Sequence, residues 1–116
     1  MTQHDPTVRL RHMLDHAREA VDLADGLERA QLDDDRRLEL ALTHLVQIIG
    51  EAAARVAPEI RARHPDIAWE DIVGTRHRMV HDYENVDLNI LWRIVKEELP
   101  PLIEALERVI RREADA

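Results

Sequence analysis

From Leu38 onward, the apolar residues Leu38, Leu42, Leu45, Ile49, Ala52 and Val56 follow one another at intervals of four, three, four, three and four. That period specifies an α-helix with a narrow apolar seam, because a strand brings every second residue to one face. Such a seam suits a left-handed antiparallel pairing or a partner helix. Pro58 limits the helix. The run Asp33-Asp34-Asp35 stands where its N-terminus should lie, and carboxylates there oppose the helix dipole favourably. His44 and Glu51 read as polar flanks of the seam.

The remaining segments carry the same period. Asp5-Pro6 reads as a cap followed by a first-turn proline, and Leu10, Met13, Leu14, Ala17, Val21, Ala24 and Leu27 predict a first helix reaching about residue 30. Arg61-Ala62-Arg63-His64-Pro65 is a basic connection, after which Asp66 can cap a third helix. That helix should bury Trp69, Ile72, Val73, Met79 and Val80 and should carry the polar stretch at positions 76–83, RHRMVHDY. Asn85-Val86-Asp87 reads as a turn plus cap. Leu88, Leu91, Trp92, Val95 and Leu99 begin a fourth helix, which Pro100-Pro101 should break or kink by removing two donors and pushing Leu99 out of the helical region. Leu102, Ile103, Leu106, Val109 and Ile110 then resume the pattern. The expected fold is all-α, a four- to five-helix up-and-down bundle forming a single domain over residues 1–116.

Composition narrows this further. Hydrophobic residues make up 45% of the chain, yet phenylalanine is absent and aromatics total 3%, so the core must be aliphatic. Three glycines and five prolines are too few to turn a β-sandwich or barrel. The absence of cysteine rules out disulfides, a thiolate nucleophile and Cys-ligated zinc. No apolar run is long enough to span a bilayer and the start lacks the pattern of a signal peptide, so a cytoplasmic protein without membrane attachment is expected.

A net charge of −8 opposes nonspecific binding to nucleic acid, which needs a basic surface. The charge is uneven, however. Residues 1–54 carry 6 basic and 11 acidic side chains and residues 83–116 carry 5 and 8, whereas residues 55–82 carry 5 of each, with His64, His77 and His81 besides. The middle of the chain is therefore its least anion-repelling part.

The stretch at 76–83 lies in that region and admits several chemistries. On one continuous helix, Arg76, Val80 and Tyr83 would form one stripe and His77, His81 and Glu84 the next. A solvated face with Arg-Asp pairs is the plainest reading. His77 and His81 at i and i+4 have the spacing with which two imidazoles share a metal ion, with Glu84 as a third ligand. Phosphate chemistry is the other alternative: Arg holds a phosphate bidentately, His moves protons near neutral pH, and Tyr supplies a hydroxyl.

The segments IVGTRHRMVHDYENVD and LWRIVKEELPPLIEAL, with GEAAARV and HPDIAW upstream, resemble the HepT-like branch of the HEPN superfamily over about residues 8–110. Arg76, His81 and Tyr83 match the family's Arg-x4-His-x-Tyr pattern in order and spacing. The family usually has Asn directly after the Arg; here His77 stands in that place, able to donate a hydrogen bond or to transfer a proton. The resemblance implies an all-helical homodimer whose two motifs face a shared cleft. It implies a metal-independent endoribonuclease with no cofactor, the toxin of a type VII-like toxin–antitoxin module, acting on an RNA substrate. In that scheme Arg76 binds the scissile phosphate and His81 handles protons. The cognate nucleotidyltransferase antitoxin transfers AMP to Tyr83. The resemblance also admits a non-catalytic helical subunit that serves as binding partner and substrate of such a transferase, and a purely structural adaptor is the remaining alternative.

Overall fold

The computed structural model describes residues 5–82 and 85–115. Eight α-helices, one π-helical turn and one short hairpin make up the described chain: α1 (Val8–Ala24), α2 (Arg29–Asp34), α3 (Arg36–Ala54), α4 (Pro58–Arg63), α5 (Trp69–Val73), α6 (Thr75–Met79), β1 (Val80–Asp82), β2 (Asn85–Val86), α7 (Leu88–Arg93), the π turn (Ile94–Glu98) and α8 (Leu99–Ala114). The fold is an all-α bundle, as expected. No helix among the described residues is long and apolar enough to cross a membrane.

The frame is α1 against α3 and α8. The five seam residues of α3, Leu38, Leu42, Leu45, Ile49 and Ala52, are buried, as are Val56 just beyond its end and Leu10, Met13, Leu14, Ala17 and Ala24 of α1. The seam is thus satisfied inside the chain, chiefly by α1, and supplies no spare apolar face for a partner helix. Asp35 caps α3 by accepting a hydrogen bond from Leu38 N at 3.0 Å.

Four local expectations are corrected. The first helix stops at Ala24 rather than near residue 30, because Gly26 takes φ +73°, a backbone conformation that favours glycine, and the chain turns into α2. The third helix divides at Gly74 into two pieces of 5 residues each and ends at Met79; Val80 is extended, so His81 lies on a strand. Val73 is exposed and Ile72 and Val80 are half-buried, contrary to the buried positions foreseen for them. Finally, Leu99 stays helical at φ −68°, ψ −41° in spite of Pro100 and Pro101. The π turn explains this. Leu99 N donates to Ile94 O, five residues back, and the widened turn carries the helix into two residues that have no amide donor.

A cavity of about 410 Å³ lies between α5, α6 and the π turn, with an aliphatic lining that includes Ile49, Ile72, Ile94 and Leu102. Arg78 and Glu98 on its wall form a bidentate pair at 2.9 and 2.6 Å. Near the far end of α8, Glu113 accepts from Arg63 at 2.6 and 3.0 Å and lies 2.7 Å from the buried His64. The basic connection foreseen at residues 61–65 is therefore partly neutralised by α8.

Candidate active site

Arg76 is placed by a glycine on another element. Gly50 of α3 lets the carbonyl of Ile72 approach so closely that a Cβ there would lie 2.8 Å from the oxygen. That same carbonyl accepts from Thr75 Oγ1, which also donates to Asp71 O and fixes the start of α6. Arg76 follows immediately. It is exposed and lines two neighbouring grooves, one of about 210 Å³ with Gln47, Gly50, Glu51 and Val73, the other of about 260 Å³ with Leu40, Thr43, Val80 and Val86.

The two arginines of α6 differ in what surrounds them. Arg78 is held by Glu98, whose hydrogen bonds raise its pKa above the ordinary arginine value. Arg76 has no ion pair or side-chain hydrogen bond among the described residues, which leaves its fork open to a bound anion. His77, next along α6, is also exposed.

His81 stands on β1, with Nε2 3.0 Å from Oδ2 of Asp87. The i, i+4 relation with His77 on which a shared metal ion would depend is lost, since the chain leaves the helix after Met79. Tyr83, the foreseen AMP acceptor, and Glu84 lie outside the described residues.

Asp87 is the residue whose role sequence reasoning missed. Its capping function is legible, and Oδ1 indeed accepts from Asn89 N at 2.9 Å and Ile90 N at 3.1 Å. Its second oxygen reaches back across the hairpin to His81. Val80 pairs with Val86, and Asp87 N donates to Met79 O at 2.7 Å, so the hairpin base is closed where these side chains meet. The hydrogen bond from His81, followed by those from the α7 amides, holds the Asp87 carboxyl below the ordinary aspartate value.

A guanidinium beside a groove can neutralise a phosphate, and a histidine held by a carboxylate can move a proton. The HepT-like family profile, described as Ribonuclease HepT-like, matches residues 13–109, and the chain belongs to this family of ribonucleases. It is 29% identical over 100 residues to "Probable ribonuclease HepT" of Thermococcus cleftensis, covering 83% of this chain and 91% of that one. It is 27% identical over 109 residues to "Putative RNase MJ1380" of Methanocaldococcus jannaschii, covering 94% of this chain and 100% of that one. A protein of Caldanaerobacter subterraneus subsp. tengcongensis with the same type of name is 27% identical over 108 residues, covering 93% and 96%. No solved structure gives a significant match.

Proposed function

We propose that this protein is a metal-independent endoribonuclease, the toxin of a toxin–antitoxin module, working as a homodimer. The observation that carries the proposal is the fork of Arg76, unpaired among the described residues, on the same helix as an arginine already neutralised. Membership of the family supports the reaction class. In the reaction, the 2′-oxygen of RNA attacks the adjacent phosphorus and the P–O5′ bond breaks, leaving a 2′,3′-cyclic phosphate and a 5′-hydroxyl. His81 takes the 2′-hydroxyl proton, His81 of the second copy gives a proton to the departing 5′-oxygen, and Arg76 neutralises the phosphorane.

One chain supplies one motif histidine, and a two-fold axis supplies both proton-transfer groups. Leu40 and Val73 are exposed apolar residues, and each lines one of the two grooves that Arg76 shares, so a second copy placed on this face would bury them and bring the motifs together. Neutralisation follows from transfer of AMP to Tyr83 by a cognate nucleotidyltransferase antitoxin, because a nucleotide two residues beyond His81 adds bulk and a negative phosphate to the RNA-holding site. The net charge of −8 favours a second reading, in which the chain is only the binding partner and substrate of that transferase.

Purified protein incubated with RNA, with and without EDTA, separates these readings. Cleavage that survives EDTA and is abolished in both Arg76→Ala and His81→Ala, with helical content retained, is expected. Cleavage retained in His81→Ala overturns the proton-transfer role, and loss of cleavage on chelation overturns metal independence. Light scattering at micromolar concentration should report a dimer. Co-expression with the transferase should give adducts in multiples of AMP that vanish in Tyr83→Phe.

A further inference from the structure

We infer that Asp87 is a positioning residue for His81, fixing the imidazole tautomer so that Nδ1 is the atom that accepts the proton. The inference rests on the ribonuclease reading for its catalytic consequence, while the tautomer itself is a property of the folded protein.

Asp87 is attached at three points. Oδ1 accepts from the amides of Asn89 and Ile90, which orients the carboxylate plane, and Oδ2 faces His81 Nε2 at 3.0 Å. An ionised carboxylate only accepts hydrogen bonds, so Nε2 must carry the proton and donate it. In the neutral ring, the lone pair then belongs to Nδ1. The side chain of His81 is 68% exposed, which leaves that nitrogen open to a substrate hydroxyl, and 27% exposure at Asp87 keeps its partner largely sheltered. The backbone supports the pair, since Asp87 N donates to Met79 O and binds the root of α7 to the residue that precedes β1. Among the described residues, His81 has no other hydrogen-bond partner.

The capping bonds make the inference testable by one isosteric change. In Asp87→Asn the side-chain oxygen must remain on the side of the Asn89 and Ile90 amides to keep the cap, and Asn caps helices as well as Asp. The amide nitrogen then takes the place of Oδ2 and points a donor at Nε2. To accept it, the ring must move its proton to Nδ1, which removes the base. The corresponding change in a Ser-His-Asp triad lowers turnover by about 10⁴-fold through the wrong tautomer.

The test uses the full chain labelled with ¹⁵N on histidine. Long-range ¹H–¹⁵N spectra at alkaline pH should show His81 as the Nε2–H form in the wild type and the Nδ1–H form in Asp87→Asn, at unchanged helical content. In RNA cleavage, Asp87→Asn should lose at least ~100-fold in kcat with KM little changed, as expected when orientation rather than binding is lost. Asp87→Ser, which caps but cannot reach His81, should also lose kcat while keeping the fold. A wild-type Nδ1–H form overturns the inference, as does full kcat in Asp87→Asn. Should the wild type not cleave RNA, the ribonuclease reading fails, and the tautomer measurement still decides whether Asp87 sets the ring.

Discussion

Replacing Gly50 with alanine tests how α3 holds the site, because two effects of opposite sign compete there. In an open helix interior, Gly→Ala stabilises by ~1 kcal/mol through backbone entropy. At Gly50 the new Cβ would stand 2.8 Å from Ile72 O, a backbone atom that cannot swing aside as a flexible side chain would. Relief requires α5 to withdraw from α3, and overpacking of this kind costs ~1–3 kcal/mol. The net expectation is a loss of about 1 kcal/mol, or a fall of about 4 °C in Tm for a chain of this length, measured by circular dichroism at fixed protein concentration. Because Ile72 O also accepts from Thr75 Oγ1, the withdrawal should shift α6 and reduce cleavage through Arg76 by more than the loss of folded protein explains. A rise in Tm of similar size, with cleavage intact, would refute the close approach and the positioning argument built on it.

Further outcomes are expected elsewhere. The hydrogen bonds from Arg63 and then His64 lower the Glu113 carboxyl from 4.5 to about 2, so its stabilisation is complete above pH 4.5 and disappears as pH falls towards 2. With screening at the half-exposed Arg63, Glu113→Gln should cost no more than about 1 kcal/mol at neutral pH and flatten urea-denaturation stability across that acidic window. Asp35→Ala removes the cap of α3 and should lose ~1 kcal/mol in the same assay, whereas Asp35→Asn should stay within a few tenths. His77→Asn, which installs at an exposed position the residue that the resemblance leads one to expect after Arg76, should leave Tm unchanged and cleavage equal or higher; a collapse of cleavage would make His77 itself a proton-transfer group.

What was legible in the sequence follows from how many residues share a signal. The seam repeats over five intervals and its six members are all buried, although α3 stops at Ala54, two residues before the last of them, and Asp35 caps where the acidic run suggested. The breaks rest on single residues. Asp25-Gly26 carried a stop signal that the continuing apolar period through Leu27 concealed. At Val80 the helical and extended readings differ over only three residues, too few for either period to register, and the sequence pattern therefore puts His81 on a helix face that does not exist. Arg76 and His81 are coupled in the sequence only through the resemblance to the HepT-like pattern, and Asp87 cannot be joined to His81 there, since that contact depends on the hairpin bringing residues six apart together. No local pattern marks the π turn, whose cause lies downstream in the demand of two prolines for a wider preceding turn.

The elements that bear the site are all short: α5 and α6 have 5 residues each, β1 has 3 and α7 has 6. Isolated helices below ~12–15 residues are marginal in water, so these pieces cannot persist before a surface exists to hold them. That surface includes α3, of 19 residues, and Glu98 of the π turn, which grips Arg78 from 20 residues downstream. During refolding, amides of α1 and α3 should therefore gain protection in pulsed hydrogen exchange before those of residues 75–82. On the ribosome the same order holds back the site, for a nascent chain ending before Glu98 has α1 and α3 to pack against but lacks the carboxylate that clamps Arg78.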